Sequence, residues 1–278
     1  MDDIGLTAAV EPRWRPSPAS GPERRTAGRF EKQSRQARNK ASGEINLVVT
    51  RSAEVPMELV GDHADDLEVV VAPGVKADFS LCTVRVTAPG PHRLEINGSG
   101  TVRGQIIFSG TNGRFVFGGD PTPPMDKHAL RFKAVLKGKN SLLDWGRGTS
   151  CVGAEFVVNG NDTRIEIGED CMFSQGIMVR TTDNHSVFDI DTFEIQKSSD
   201  SIVIGEHVWL GINSTVLKGV TVGRGSIIGA GAIVTADVGE ASVAVGVPAR
   251  VIATGKSWSR VAKPTRDEME GIARRLRS

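Results

Sequence analysis

The feature that most constrains the fold of this chain is a six-residue repeat between residues 202 and 238. A helix repeats near 3.6 residues and a half-buried strand at 2, so six is neither local period. Read in sixes, the first position always holds a branched aliphatic residue: Ile204, Leu210, Val216, Val222, Ile228 and Val234. The fifth position holds only small or β-branched residues: Val208, Ser214, Val220, Ser226, Ala232 and Val238.

This period predicts a solenoid of short strands joined by bends. One aliphatic side chain per face would point inward and stack on its copy in the next coil, and the fifth position would lie at a corner where only a small side chain fits. Each coil buries its apolar row only against its neighbours, so several coils are required for stability. Two earlier hexads, from Ile167 to Met178, fit the same pattern.

Composition limits the class of protein. Hydrophobic residues make up 39 % of the 278, glycine is frequent at 32 and aromatics reach only 5 %, which predicts many tight turns and a core of aliphatic residues rather than large rings. A formal net charge of +1 gives no general electrostatic case for binding nucleic acid.

The cysteines and the apolar segments bear on location. Cys82, Cys151 and Cys171 form an odd set without CxxC spacing. The sequence has no apolar run long enough to span a bilayer and no hydrophobic N-terminal signal region. We therefore expect a cytoplasmic protein with reduced thiols and no membrane span.

Four segments are predicted along the chain. Residues 1–43 are rich in Pro and Arg and indicate a disordered basic tail, or alternatively an arm that holds an anionic polysaccharide or a membrane-bound synthesis complex. Residues 44–130 are β-rich and form either a separate small β domain or, as we favour, extra solenoid coils. Residues 131–255 are the repeat domain, with an inserted catalytic loop at 180–201. Residues 256–278 end in a short helix, because Thr265 and Glu268 make a capping-box pattern.

Several motifs in the repeat domain resemble those of a known family. They are Thr182-Asp-Asn-His-Ser-Val-Phe-Asp189, Ile204-Gly-Glu-His-Val-Trp-Leu-Gly211, Leu217-Lys-Gly-Val220, Ile228-Gly-Ala-Gly-Ala232 and Gly246-Val-Pro-Ala-Arg250. The pattern is similar to that of the hexapeptide-repeat acyltransferases, and within them to the subgroup that O-acetylates capsular, polysialic or other surface polysaccharides. The resemblance implies an all-β, left-handed parallel β-helix, a homotrimer with active sites between subunits, and acetyl-CoA as co-substrate. The left hand comes from the resemblance alone, because the usual crossover rule favours the right hand.

The candidate general base lies where the sixes fail, between Val179 and Ile202. Breaks in a solenoid map to loops, and a neutral imidazole suits removal of a hydroxyl proton near neutral pH. Together with the family motif, this selects His185. Asp183, Asp189 or a backbone carbonyl could fix its tautomer, and Asn184 could present an amide to substrate, although turn roles are the default for these residues.

Two further residues of the repeat domain are candidates for the site. His207 is the rival histidine, but the fourth place of its hexad predicts a surface or subunit-boundary position. The resemblance places Trp209 beside the acetyl-donor site; alternatively, its ring covers the base of the inserted loop.

For coenzyme A, the resemblance implies a groove between coils of two subunits. The predicted contributors are Gly211, Gly229, Ala230 and Thr235 for close backbone approach, and Lys218 and Arg250 for the phosphates. No metal is expected, because His185 and His207 are the only histidines of the repeat domain and no HExxH motif occurs.

The predicted function is acetyl-CoA-dependent O-acetylation of a hydroxyl group of a surface polysaccharide or other glycan by direct transfer. The alternatives are a transferase of a small acceptor, such as an amino sugar, serine or an antibiotic, and a non-catalytic scaffold or glycan-binding module.

Overall fold

The computed structural model describes residues 48–49, 55–120 and 129–278 of the chain, with only the backbone for Val48 and Val49. The predicted basic tail, 1–43, lies outside the described residues. Strands β1 to β22 are, in chain order, Val48–Val49, Met57–Val60, Leu67–Val71, Ala77–Val86, His92–Ile96, Gly100–Phe108, Arg114–Phe117, Leu130–Lys137, Leu142–Trp145, Ser150–Cys151, Ala154–Asn159, Arg164–Ile167, Met172–Phe173, Ile177–Arg180, Ile202–Ile204, Trp209–Leu210, Thr215–Val216, Thr221–Val222, Ile227–Ile228, Ile233–Val234, Ser242–Val245 and Arg250–Thr254. A 3-10 helix covers Ala64–Asp66, and helix α1 covers Arg266–Arg277.

The strands form three sheets that make the faces of a prism. Face A has the order β1-β3-β5-β7-β9-β12-β15-β18, face B has the order β2-β4-β6-β8-β11-β14-β17-β20, and face C has the order β10-β13-β16-β19-β21-β22. Neighbouring strands are parallel except for the antiparallel pairs β1–β3 and β21–β22 at the ends. The predicted left-handed parallel β-helix is therefore confirmed.

The hexad positions lie where the repeat predicts them. All six first-position residues and all six fifth-position residues are buried. The first-position side chains stack from coil to coil in register, with Ile204 opposite Val222, Leu210 opposite Ile228 and Val216 opposite Val234. The interior of the repeat is therefore a set of aliphatic columns.

One of these columns supplies a stability prediction. Ile228 is fully buried on β19, with Leu210 in the coil before it and Ala244 in the coil after it. Replacing Ile228 with Ala should leave a cavity between coils and lower the free energy of unfolding by roughly 2–5 kcal/mol. Urea denaturation of both proteins measures the difference, and a loss below about 1 kcal/mol would show that neighbouring coils collapse into the space.

The prediction of a core without large rings is wrong for the coils that precede the inserted loop, both in residues 57–117 and in residues 130–180. Buried aromatic side chains run through them, among them Phe79, Phe108, Phe115, Phe117, Phe132, Trp145, Phe156 and Phe173. The reason is the size of the coil. The coil from Leu94 to its partner Phe115 contains more residues than the coil from Leu210 to its partner Ile228. The face-B strands are also longer in the N-terminal coils than in the repeat. A longer coil encloses more space, and rings fill it.

The two regions share their sheets and their core. Strands of residues 57–117 belong to faces A and B together with the repeat strands, and their buried side chains join one hydrophobic cluster with those of the repeat. The predicted limits of the four segments stay predictions.

The predicted C-terminal helix is present with its capping box. The Thr265 hydroxyl accepts a hydrogen bond from Glu268 N at 3.3 Å, and the Glu268 carboxylate accepts one from Thr265 N at 2.6 Å. Leu276 packs over Gly225, where an added Cβ would lie 2.6 Å from Leu276 Cδ1. Helix α1 therefore lies against the repeat coils. Within the described residues, no helix is long and apolar enough to cross a bilayer.

Candidate active site

A long loop, residues 181–201, interrupts the solenoid between face B and face A. Val179 lies opposite Val216, and Val216 lies opposite Val234, so the coil that begins at Val179 takes far more residues than the coil that follows it. The inserted residues form a hairpin with bridges between Thr182 and Ser199 and between Phe188 and Ile195. The predicted break in the hexads is therefore an ordered hairpin on a rigid corner.

His185 lies on this hairpin and is exposed. The backbone before it is held firmly, because Asp183 N donates to Ser198 O at 2.9 Å and Asn184 N donates to Thr182 Oγ1 at 2.9 Å. Asn184 adopts a left-handed conformation with φ of 64°, which asparagine tolerates better than most residues. Among the described residues nothing bonds the imidazole, so it is accessible to a ligand.

The nearby carboxylates are bound to other groups. Asp183 lies 3.1 Å from the Lys218 ammonium group. Asp189 accepts from the backbone of Asp191 and Thr192 at 2.9 Å each, and these bonds, with that from Thr192 the stronger influence, lower the pKa of Asp189. Within one chain, each aspartate thus stabilises the hairpin rather than orienting His185.

Asn184 and Lys218 connect the hairpin to the solenoid. Asn184 Oδ1 accepts a hydrogen bond from Asn159 Nδ2 at 3.1 Å, which ties the hairpin to the end of β11. Lys218 Nζ donates to Lys197 O at 2.8 Å besides its ion pair with Asp183. Asn159 is the residue that sequence reasoning missed, since no motif marks it. Lys218, predicted to bind phosphate, anchors both sides of the hairpin base.

The predicted cofactor residues divide between two edges of the prism. Lys218 and exposed Thr235 lie in the bends that follow face-B strands, on the same edge as the hairpin. Gly211, Gly229 and Ala230 lie in the bends between face C and face B. Exposed Arg250 begins β22 and donates to Ala249 O at 2.9 Å. A single chain therefore does not gather these six residues into one site.

The edge between faces C and B offers backbone groups to a ligand. An added Cβ on Gly211 would lie 2.7 Å from Ile228 O, so the close stacking of the coils requires glycine there. Gly211 N donates to Ile228 O, and Gly229 N donates to Ala244 O, at 2.8 Å each. The next N–H groups, of Ile212 and Ala230, have no hydrogen bond among the described residues. These two donors occupy equivalent places in consecutive coils.

Trp209 lies on face C and contacts the C-terminal extension rather than the hairpin. Its Nε1 donates to Ser174 Oγ at 3.3 Å, and its ring centroid is 6.3 Å from that of Trp258. Its N–H donates to Ser226 O at 2.9 Å and is part of the sheet. The alternative in which Trp209 covers the base of its own hairpin has no contact to support it.

His207 is buried, and the predicted surface position is wrong. Only 2 % of the residue is exposed, and its ring stacks on Trp258 with centroids 4.2 Å apart. Nε2 lies 3.0 Å from Trp258 O, while Trp258 Nε1 donates to His207 O at 2.8 Å. The hexad position does face outward, but the C-terminal extension folds back and covers it.

A charged cluster surrounds His207 and fastens the extension to the coils. Asp170 Oδ2 lies 2.8 Å from His207 Nδ1 and 2.6 Å from Arg275 Nη2, and Asp170 Oδ1 accepts from Arg260 at 3.0 Å. Burial alone would raise the pKa of Asp170, but hydrogen bonds from His207 and Arg275 and the charge of Arg260 outweigh it and hold that pKa far below its usual range. Arg260 also donates to Cys171 O at 2.9 Å and to Ser150 Oγ at 2.7 Å.

Cys171 is a core residue, as its fifth hexad position predicts. Its side chain is fully buried, and burial raises the pKa of the thiol to about 12. Burial likewise raises the pKa of Cys82 to about 12. Among the described residues, no three His, Cys, Asp or Glu side chains lie together as metal ligands would.

Comparisons with known proteins agree on one family. A family model described as bacterial transferase hexapeptide (six repeats) matches residues 201–236. Polysialic acid O-acetyltransferase of Escherichia coli O1:K1 / APEC is 38 % identical over 129 residues, which cover 46 % of this chain and 42 % of that protein. The galactoside O-acetyltransferase of Escherichia coli K12 is 36 % identical over 110 residues, covering 36 % of this chain and 52 % of that protein. The matches thus span about half the length of these curated relatives.

A solved structure matches more of the chain. It is the polySia specific acetyltransferase NeuO, with a TM-score of 0.62, 26 % sequence identity, and coverage of 80 % of this chain and 98 % of that one. The similarity therefore extends beyond the hexads to most of the coils described above.

Proposed function

We propose that the chain, which resembles the polysaccharide O-acetyltransferases among the hexapeptide-repeat acyltransferases, transfers an acetyl group from acetyl-CoA to a hydroxyl group of a bacterial surface polysaccharide or another glycan. The observation that carries this proposal is the ordered hairpin at the break in the repeat, which presents an accessible imidazole on a rigid corner. The relatives named for polysialic acid and galactoside O-acetylation supply the reaction type.

In the proposed reaction, His185 is the general base. Its imidazole removes the proton from the acceptor hydroxyl as the oxygen attacks the carbonyl carbon of the thioester. The tetrahedral intermediate then expels the coenzyme A thiolate, which takes up the proton, and the O-acetyl ester remains. A covalent acyl-enzyme on cysteine is disfavoured, because all three cysteines are buried and a thiolate is the reactive form.

The oxyanion of the intermediate requires hydrogen-bond donors. The N–H groups of Trp209 and Gly211 already bond to carbonyl groups of the next coil. The N–H of Ile212 has no such bond among the described residues, and Ile212 comes directly after Gly211, three residues beyond Trp209. We therefore assign Ile212 N–H as the donor beside the Trp209 strand.

A homotrimer explains how residues on two edges of the prism could serve one site. The donor groups near Trp209, Gly211 and Ala230 lie on one edge, while His185 lies on another. The hairpin tip carries apolar side chains that are 52 to 77 % exposed: Phe188, Ile190, Phe193 and Ile195. Exposed apolar clusters of this kind mark protein contacts. A neighbouring copy that covers the tip would bring its own edge between faces C and B to the hairpin and complete the site.

The cofactor and location follow from the same proposal. Acetyl-CoA is the co-substrate, and Arg250, which is exposed at the edge between faces C and B, is available to its phosphates. Use of acetyl-CoA, together with three unpaired cysteines, fits the cytoplasm.

The test is release of free thiol from acetyl-CoA by the full-length protein over a panel of bacterial polysaccharides, free sugars, serine and aminoglycosides. We expect release only with a glycan acceptor. Release with a free amino sugar, serine or an aminoglycoside alone would favour the small-acceptor transferase. If coenzyme A neither turns over nor binds in calorimetry, the non-catalytic scaffold replaces the enzyme.

A further inference from the structure

The strands of face B carry more basic than acidic side chains on their outer surface. Its strands hold six basic side chains, namely Arg85, Arg103, Arg131, Lys133, Lys137 and Arg180, and three acidic ones, Glu58, Asp78 and Glu155. Of the three acids, only Glu155 forms an ion pair with these cations, at 2.8 Å from Lys133 Nζ. Glu58 accepts from the Thr83 hydroxyl, and Asp78 accepts from Ser80 N. Five cations on a chain of net charge +1 thus have no ion-pair partner among the described residues.

Two of these cations stand side by side. Arg103 on β6 lies directly opposite Arg131 on β8, and both side chains are exposed. Adjacent strands are about 4.8 Å apart, so like charges in register repel each other. Among the described residues, neither guanidinium forms a hydrogen bond or an ion pair.

Face A shows how the same fold treats an arginine pair that has a structural role. Arg93 on β5 lies directly opposite Arg114 on the neighbouring strand β7. This is the same in-register arrangement as that of Arg103 and Arg131 on face B. Both donate to Glu95, at 2.7 Å and 2.6 Å, and Arg93 also pairs with Glu68. These bonds lower the pKa of Glu95, with Arg114 the largest influence and burial opposing it. The solenoid therefore neutralises one in-register pair and leaves the other open.

The charged surface continues to the hairpin. Lys137 at the end of β8 lies opposite Asn159, whose Nδ2 bonds Asn184 next to His185. Arg180 ends β14 immediately before the hairpin, and its Nε is buried with no hydrogen-bond partner in the described part of the chain. Cations thus lie both far from the candidate base and beside it, on one continuous face.

From this arrangement we infer that the outer surface of face B is the binding surface for an anionic glycan chain, with Arg103 and Arg131 as its distal anion site and Lys137 and Arg180 leading to His185. The ligand class is a polymer with a carboxylate or phosphate on its repeating units, because a guanidinium binds such groups with paired hydrogen bonds. The identity of the ligand as an acceptor rests on the proposed function, whereas the anion site rests on the charges alone.

The test measures binding rather than turnover. The full-length variant R103Q/R131Q is compared with the matched variant R93Q/R114Q and the unmodified protein, using fluorescently labelled polysialic acid as the acidic probe and dextran as the neutral one. Anisotropy without acetyl-CoA should show that R103Q/R131Q binds polysialic acid about tenfold more weakly. Its melting temperature should be unchanged or slightly higher, because a repulsion is removed. R93Q/R114Q should keep the affinity but lose stability, and added salt should weaken all polysialic acid binding.

Three results would overturn the inference. They are equal polysialic acid binding by R103Q/R131Q and unmodified protein, equal binding of dextran and polysialic acid, and a change of sedimentation coefficient in R103Q/R131Q, which would make face B a contact between copies of the chain. Salt-sensitive binding without thiol release would contradict the proposed function and leave the anion site standing.

Discussion

Replacing His185 with alanine is expected to lower kcat for acetyl transfer by about 10²–10⁴-fold, the usual contribution of a general base. The fold should be unaffected, because the side chain is exposed and the hairpin is held by backbone bonds and by the Lys218 and Asn159 contacts. Binding of acetyl-CoA should also survive, because His185 is assigned to the acceptor hydroxyl and not to the coenzyme. The measurement is acceptor-dependent thiol release together with calorimetric titration of acetyl-CoA.

A matched control is His63, a histidine that lies far from His185 in the sequence. His63 lies in the N-terminal coils, 3.4 Å from Asp66, and its replacement with alanine should leave kcat unchanged. Equal turnover by the His185 variant and unmodified protein would remove His185 as the base. His207 could not simply take its place, because it is buried beneath Trp258 and next to Asp170.

Replacing Asp170 with asparagine is expected to lower the free energy of unfolding at pH 7 by about 3–5 kcal/mol, the range for loss of one partner of a buried ion pair. The carboxylate neutralises Arg260 and Arg275 and contacts His207 in one cluster. Asparagine keeps the shape but leaves Arg260 without its counter-charge among the described residues, while Arg275 keeps only its ion pair with Glu206 at 2.7 Å. Because Arg260 and Trp258 belong to the C-terminal extension, the extension should loosen first, which hydrogen exchange of residues 256–278 would show.

The pH dependence identifies the carboxylate as the cause. The pKa of Asp170 is below its ordinary value of 3.8 in the folded protein, so its stabilising contribution is complete above about pH 4 and is lost as the pH falls through the folded-state pKa. The stability difference between the two proteins should therefore stay constant from pH 7 to about pH 4 and narrow as the pH falls further, in chemical denaturation. A difference that does not change with pH would mean that asparagine acts through packing instead.

Asp162 provides the comparison for this variant. It is an exposed turn residue that accepts a hydrogen bond from Asn140 Nδ2 at 2.7 Å, with no ion pair among the described residues. Its replacement with asparagine should change the unfolding free energy by less than about 0.5 kcal/mol, as is usual at the surface.

The sequence by itself determined the solenoid and the place of the hairpin. Residue size at each hexad position follows from local geometry, because every first position meets its own copy in the next coil, as Leu210 meets Ile228. The capping box of α1 is equally local, because Thr265 and Glu268 lie within one helical turn of each other. The stretch between Val179 and Ile202, where the sixes fail, likewise has to leave the coil, so the position of His185 on a loop could be predicted.

Only the tertiary structure decided which side chains meet. Asp170 binds His207, Arg260 and Arg275 at separations of 37, 90 and 105 residues, and no pattern of sixes marks such pairs. The irregular N-terminal coils have no fixed period, so the register between their strands depends on how many residues each coil takes. That register sets Arg103 beside Arg131. It also lets Arg93 and Arg114 share Glu95. Contacts within a hexad are set by local spacing, whereas contacts between coils of variable length are set by packing of the whole core.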